Sequence, residues 1–332
     1  MAKRKNKSQG IKMDTAISCE GLSKNFKDVK ALKNLNIEIS SNLIIGFLGV
    51  NGAGKTTTIK LLNNLIKPTS GRASIYGIPV HENQMKVKNM VGYLSQEPAF
   101  YRWMTGKEFL YYVGSLFGIK KSTLKERVRS LLDEVGLQDA QNRRVGGYST
   151  GMKQRLGIAQ SLINEPKVLF LDEPVSSLDP VGRVNILEII KSLKGKATIF
   201  ISSHILNDIE RVCDEVAIID KGELIIHEKL SVLKEKYISP VVLIQCKDPL
   251  ENFKDLLMQE DYIRHAEFMS IDDRENVCLR IVFDDFEKGK RLLPQRIVEN
   301  GLTLIKYEML TPTLEDVFMK LINKENKGGT SF

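Results

Sequence analysis

Long apolar runs are missing from this chain of 332 residues: the stretch Leu43 to Val50 is typical of its longest. A membrane span needs roughly 18–20 apolar residues, so any membrane role must come through a partner. Four cysteines, Cys19, Cys213, Cys246 and Cys278, are scattered without C-x-x-C spacing. That argues against a zinc site or a disulfide framework and fits a reducing cytoplasm. There is a single tryptophan, Trp103, and the glycine-rich loop motif described below is not repeated. The net charge of +8 owes five charges to Lys3, Arg4, Lys5, Lys7 and Lys12, with no acid among the first twelve residues. Residues 1–12 are therefore expected to be a basic disordered tail, a solvated extension whose charge could graze anionic lipid or nucleic acid only weakly, and no nucleic-acid partner is expected. No apolar segment follows it, so a secretory signal is not expected.

What is present is a phosphate-binding pattern. Gly49-Val50-Asn51-Gly52-Ala53-Gly54-Lys55-Thr56-Thr57 fills every slot of G-x-x-x-x-G-K-[ST]. The apolar run Leu43 to Leu48 predicts a buried strand ahead of it, and Thr57 to Leu65 predicts a helix behind it. Glycines let the loop curl so that successive backbone N–H groups converge on phosphate oxygens at a helix start, whose dipole favours negative charge. Lys55 reaches the β and γ phosphates, and Thr56 supplies a hydroxyl to Mg²⁺.

A second apolar run, Lys167 to Leu171, ends in Asp172-Glu173-Pro174. It predicts a parallel strand delivering two carboxylates at the sheet edge where ligands of open α/β folds bind. Asp172 suits Mg²⁺ and Glu173 suits general-base work on an attacking water, since adjacent carboxylates in different environments can divide roles. Asp179-Pro180 reads as the start of a helix with Val184, Leu187 and Ile190 on its apolar face. The next strand, Ala197 to Ser202, leads into Ser203-His204, which places a histidine at the same edge. Ser149 reads as the cap of a helix carrying Leu156, Ala159, Leu162 and Ile163, and such a start also attracts anions.

In this order the pieces resemble the ATP-binding cassette, the ATPase of ABC transporters. Gly49 to Thr56 resembles its Walker A loop, Gln96 its Q-loop, Ser149 to Met152 its signature motif, Val168 to Glu173 its Walker B strand, Ser177 to Asp179 its D-loop, and His204 its switch histidine. The resemblance covers about two hundred residues, with one departure: Thr150 fills a slot that is normally glycine. It implies an ATP-hydrolysing subunit with Glu173, His204 and Gln96 as catalytic residues. Nucleotide would be held by Phe26, stacking on adenine, by Asn51, Gly52, Ala53, Gly54, Lys55, Thr56 and Thr57, and by Ser149, Gly151 and Asp179. Mg²⁺ would be held by Thr56, Gln96 and Asp172. It further implies a head-to-tail homodimer, with the signature of one chain completing the Walker A site of the other, and a membrane-spanning partner subunit that places the chain at the cytoplasmic face of the cell membrane. Phe26 can equally be a buried sheet residue. The alternative function is a soluble ABC-type ATPase serving nucleic-acid or ribosome-linked work. A small GTPase is discounted, because Asn323-Lys324-Glu325-Asn326 lacks the final acid of a guanine-specifying motif.

The expected fold is an α/β P-loop cassette: a mixed sheet core, an antiparallel β subdomain and a helical subdomain at about 98–164, together spanning 13–230. A small C-terminal α+β domain follows over 240–332. Within the helical part, one helix is expected near Lys107 to Phe117 and another from Thr123, with Glu126 completing a capping box. Phe100-Tyr101-Arg102-Trp103-Met104 either forms ordinary core or lines a groove for a membrane partner's helix. In the C-terminal domain, Val241 to Cys246, Val277 to Phe283 and Leu302 to Met309 read as strands, and Leu250 to Glu260 and Phe286 to Asn300 as helices, with Pro294 interrupting the second. Thr313 to Ile322 reads as a closing amphipathic helix. This part resembles the C-terminal extension of subunits serving ABC-2-type exporters, which implies export.

Overall fold

Along Leu35 to Ser40 buried Leu, Ile and Ile alternate with exposed polar residues, the period-2 pattern of a sheet with one covered face. By contrast Ile44–Leu48, Val168–Asp172 and Thr198–Ser203 are buried at every position, the pattern of central parallel strands covered on both faces. The computed structural model describes residues 15–237, 241–270, 277–310 and Leu314. The expected basic tail and, apart from Leu314, the expected closing helix lie outside the described residues. The chain divides into two compact units, Met1–Leu230 and Ser231–Phe332.

In chain order the first unit runs β1 (Thr15–Phe26), β2 (Val29–Ser40), β3 (Ile44–Leu48), α1 (Lys55–Leu62), β4 (Ser70–Ile75), β5 (Ile78–Pro79), α2 (Gln84–Met90) and β6 (Val91–Leu94). Three helices follow, α3 (Gly106–Leu116), α4 (Lys121–Glu134) and α5 (Thr150–Leu162), then β7 (Val168–Asp172), α6 (Pro180–Ser192), β8 (Thr198–Ser203), α7 (Leu206–Glu210), β9 (Glu215–Asp220) and β10 (Glu223–Lys229). The six-stranded sheet has the order β10-β9-β3-β8-β7-β6, parallel except for β10. An antiparallel sheet, β2-β1-β4-β5, lies beside it in one hydrophobic core. Phe47, Phe200 and Phe170, on the neighbouring strands β3, β8 and β7, pack with ring centroids 5.0 and 5.6 Å apart and fix the centre of that core.

Three local expectations are corrected. Helix α1 begins at Lys55 and ends at Leu62, so Leu65 is exposed; Asn63 caps it and Asn64 turns the chain with φ 54°. The capping box belongs to α3: Thr105 Oγ1 accepts from Glu108 N at 3.2 Å and Thr105 N donates to Glu108 Oε2 at 2.8 Å. Thr105 has the extended backbone a cap needs, whereas Thr123 is already inside α4, whose N-cap Lys120 makes no side-chain bond. On α6 the buried face is Ile186, Leu187 and Ile190, and Val184 faces outward.

The second unit holds α8 (Leu230–Tyr237), which begins at the unit boundary, then β11 (Val241–Cys246), α9 (Glu251–Leu257), β12 (Ile263–Ser270), β13 (Val277–Phe283), α10 (Phe286–Glu299) and β14 (Leu304–Leu310). From β11 on this is βαββαβ with sheet order β12-β13-β11-β14, all neighbours antiparallel, the split βαβ or ferredoxin-like arrangement. Its core joins Val242, Ile244, Leu279 and Ile281 of the sheet to Phe253 and Leu257 of α9 and Leu293 and Ile297 of α10. Pro294 does not interrupt α10. The helix runs through it, because the buried face formed by Gly289, Leu293 and Ile297 outweighs one missing backbone bond. Strand β12 escaped the sequence reading. A register shift between Ile263 and His265 breaks its alternation, leaving Ile263 and Ala266 as buried residues three apart.

Candidate functional site

Strand β3 ends at Leu48 and α1 starts at Lys55, so Gly49 to Gly54 must reverse the chain in six residues. Gly52 and Gly54 do so at φ 84° and 111°, and a Cβ on Gly54 would lie 2.6 Å from the Ala31 carbonyl oxygen. Ala53 is buried and Asn51 exposed. The first amides of α1, at Lys55, Thr56 and Thr57, have no preceding turn to bond to and are free to meet an anion.

Lys55 is buried beneath this arch. Its Nζ donates to the carbonyls of Gly49 at 2.7 Å and Val50 at 3.2 Å and pairs with Glu173 Oε1 at 3.2 Å. The other Glu173 oxygen, Oε2, lies 2.8 Å from His204 Nδ1. Glu173 is itself buried yet sits at φ 50°, a left-handed conformation uncommon for a side chain of its size. Directly before it, buried Asp172 accepts from Thr56 Oγ1 at 3.1 Å and from Ser202 Oγ at 2.6 Å. Burial pushes the Asp172 carboxyl above the usual carboxylate range, and the Ser202 and Thr56 bonds oppose that rise. The strands deliver these groups together, because β7 and β8 pair with Asp172 opposite Ser202 and β8 pairs with β3.

Ser202 was legible only as a strand end, yet it ties both carboxylate residues: its Oγ also accepts from Glu173 N at 2.9 Å. Ser202→Ala should lower unfolding free energy by about 1–2 kcal/mol, since Asp172 Oδ1 keeps only its longer bond from Thr56 and Glu173 N only its longer bond to the Ser202 carbonyl, at 3.3 Å. Denaturant titration measures it; a loss under about 0.5 kcal/mol would show that neither bond matters.

The remaining sequence-derived residues lie around this centre. Gln96 follows β6, which pairs with β7 in register Leu94 opposite Leu171, so it stands at the same sheet edge; it is exposed, and its carbonyl accepts from Gln154 Nε2 at 3.4 Å. Asp179 caps α6 through Oδ1 to Gly182 N at 3.3 Å. Ser149 is exposed and caps α5, accepting from Met152 N at 3.2 Å. Thr150, in the slot normally held by glycine, opens the helix and is not among the positive-φ residues, so its side chain brings no backbone strain. Among the described residues no hydrogen bond or ion pair joins Ser149 or Gly151 to Lys55, Asp172 or Glu173. Phe26 is 45% exposed at the tip of β1, with Lys24 Nζ 4.9 Å from its ring centre, so the buried-sheet reading of Phe26 falls. The core reading of Trp103 falls too. Trp103 is 66% exposed and forms a surface aromatic group with Tyr101, 6.0 Å away, and Tyr112, 5.5 Å from Tyr101.

A glycine arch over a buried lysine at a helix start, with a carboxylate pair at the end of a parallel strand one place removed, defines a P-loop nucleoside triphosphatase. The family model for ABC transporters matches residues 32–176. The chain is 38% identical over 309 residues to the uncharacterized ABC transporter ATP-binding protein YxlF of Bacillus subtilis, covering 92% of this chain and 99% of that one. It is 38% identical over 323 residues to the bacitracin transport ATP-binding protein BcrA of Bacillus licheniformis, covering 96% and 99%. Among solved structures, cbiO1 of Clostridium perfringens, part of an ABC transporter complex, is 28% identical with a TM-score of 0.62 over 67% of this chain and 92% of that one. The chain belongs to the ATP-binding proteins of ABC transporters. It binds and hydrolyses ATP as the subunit that powers transport, rather than as a soluble ATPase in other work. No helix among the described residues is long and apolar enough to cross a membrane.

Proposed function

We propose that Lys55, Glu173 and His204 form the hydrolytic centre of a transport ATPase whose two sites are each closed by a second copy of the chain. The observation that carries this reading is the linkage Lys55–Glu173–His204, at 3.2 and 2.8 Å and buried at its Lys55–Glu173 end, beside the Thr56–Asp172 pair. Lys55 neutralises Glu173. When triphosphate enters, Lys55 and the amides from Asn51 to Thr57 turn to phosphate oxygens, and Phe26 offers an exposed face to adenine. Glu173, released from Lys55, accepts a proton from water as the water oxygen attacks the γ-phosphorus and the bond to the β-phosphate oxygen breaks. His204 holds the Glu173 carboxylate in place from its far side.

The oxygen donors Thr56 Oγ1 and Asp172 Oδ1, 3.1 Å apart, suit Mg²⁺, with Gln96 at the same edge as a third oxygen ligand. Held there, Mg²⁺ would neutralise charge on the transferring phosphate.

Ser149 and Gly151 sit at a helix start with no partner among these groups in their own chain, which supports a head-to-tail dimer in which they and Asp179 reach the nucleotide of the other copy. The exposed group Tyr101, Trp103 and Tyr112 supports a docking surface for a helix of a membrane-spanning partner, with Gln96 linking nucleotide to it. Export is the direction we favour, from the resemblance of the C-terminal part to ABC-2-type exporter subunits. Trp103→Glu should leave folding within about 0.5 kcal/mol and ATP binding unchanged, as expected for an exposed side chain. Transport by the complex reconstituted in vesicles should be lost. A variant that transports normally, or that unfolds, contradicts the docking role.

A further inference from the structure

Lys24 is half-buried near the end of β1, two residues before Phe26. Its Nζ stands over the Phe26 ring, 4.9 Å from the centre, and donates to the Lys67 carbonyl at 2.8 Å. The ammonium is thus fixed between a carbonyl and an aromatic face. The same segment holds the backbone beside it: Thr69 N donates to the Ser23 carbonyl at 2.8 Å, and Thr69 Oγ1 accepts from Asn25 N at 3.0 Å. Residues 67–69 therefore brace the end of β1 through backbone and side-chain atoms together.

The braced end lies beside the phosphate arch. Residues 67–69 follow α1, the helix that opens at the arch with Lys55. Strand β2 pairs with β1 through Val29 opposite Phe26, and two residues further on the carbonyl of Ala31 borders Gly54. Phe26 is 45% exposed and outside the buried core, so core packing alone does not fix its ring. The contact that fixes it is Lys24.

We propose that Lys24 is a positioning residue for the nucleotide base: its ammonium, anchored on Lys67, holds one face of Phe26 so that adenine stacks on the other. This rests on the proposed stacking of adenine on Phe26. One contact then has two effects. The ring is ordered before nucleotide arrives, so binding does not bear the cost of immobilising it. A base on the open face also shields ring and ammonium from water, and a cation–π contact strengthens when it is desolvated. By reciprocity, whatever the base adds to the Lys24 contact, Lys24 adds to the affinity for the base.

Calorimetric titration of the full chain with ADP tests this, because ADP carries the base and is not hydrolysed. Lys24→Gln should weaken ADP binding about three- to tenfold. Lys24→Arg keeps a cation able to lie over an aromatic face and should stay within about twofold of wild type. Phe26→Leu should weaken ADP at least as much as Lys24→Gln, and in the Phe26→Leu background Lys24→Gln should add less than about twofold. A lysine that acted on phosphate by charge alone, or on fold stability alone, would weaken ADP equally with or without the ring. Equal loss in both backgrounds, Lys24→Arg as weak as Lys24→Gln, or Lys24→Gln unchanged beside a weakened Phe26→Leu would overturn the proposal and leave Phe26 as the base platform. Unchanged ADP affinity in Phe26→Leu would instead remove the platform itself, and the role of Lys24 with it.

Discussion

Glu173→Gln is expected to bind ATP normally, retain it through a rapid desalting column, and turn it over about 100- to 10,000-fold more slowly, the range a positioned general base contributes. The amide has the shape of the carboxylate and can stay within reach of Ser202 and His204. It cannot take up the proton that the attacking water must lose. Bound nucleotide then has no route out through hydrolysis, so the population shifts to the closed state. Single-turnover measurements with labelled ATP check this. Turnover close to that of wild type would remove Glu173 from the chemistry and leave the Lys55 pairing as a purely structural contact.

Lys55→Ala should act earlier, on binding. It removes the charged group bonded to both Gly49 and Val50 carbonyls beneath the arch, and truncating one partner of a buried charge pair typically costs about 2–5 kcal/mol, some 30- to 1,000-fold or more in affinity for ATP. The nucleotide-free protein should lose stability as well, by about 3 kcal/mol, because Glu173 is left buried without its cation. Calorimetric titration with ATP and denaturant unfolding measure the two effects. ATP affinity within threefold of wild type would contradict the role given to Lys55.

The centre of this site was legible because its parts are local and periodic. A glycine arch, a fully apolar strand and a capped helix each announce themselves within about ten residues, and parallel strands that end in polar residues bring those residues to one edge. What sequence could not supply was the partnership between segments. Nothing in Thr198 to Ser203 marks Ser202 as the bond that ties Asp172 and Glu173 together; that follows from the pairing of β7 with β8. The left-handed backbone of Glu173 is likewise invisible, since the residues that hold it come from another strand. Exposure decided the two aromatic questions that composition left open, at Phe26 and Trp103. The errors of detail share a cause. A threonine three residues before a glutamate occurs at both Thr105 and Thr123, and only the extended backbone at Thr105 makes the first a cap. In the C-terminal domain the strand and helix signals were clear except where a register shift hid β12, and without that strand the βαββαβ order could not be read.

The central claim is that triphosphate under the arch of one chain is sealed by the Ser149 helix start of another. Two variants, Lys55→Ala and Ser149→Arg, each combined with Glu173→Gln, test it by retention of labelled ATP through desalting. Neither should retain nucleotide alone: the first cannot bind it, and the second cannot seal it. Mixed, they should retain it, because the pairing of one chain of each brings an intact Lys55 together with an intact Ser149. Retention by the Ser149→Arg chain alone, or none by the mixture, would show that the nucleotide is not closed in across two chains.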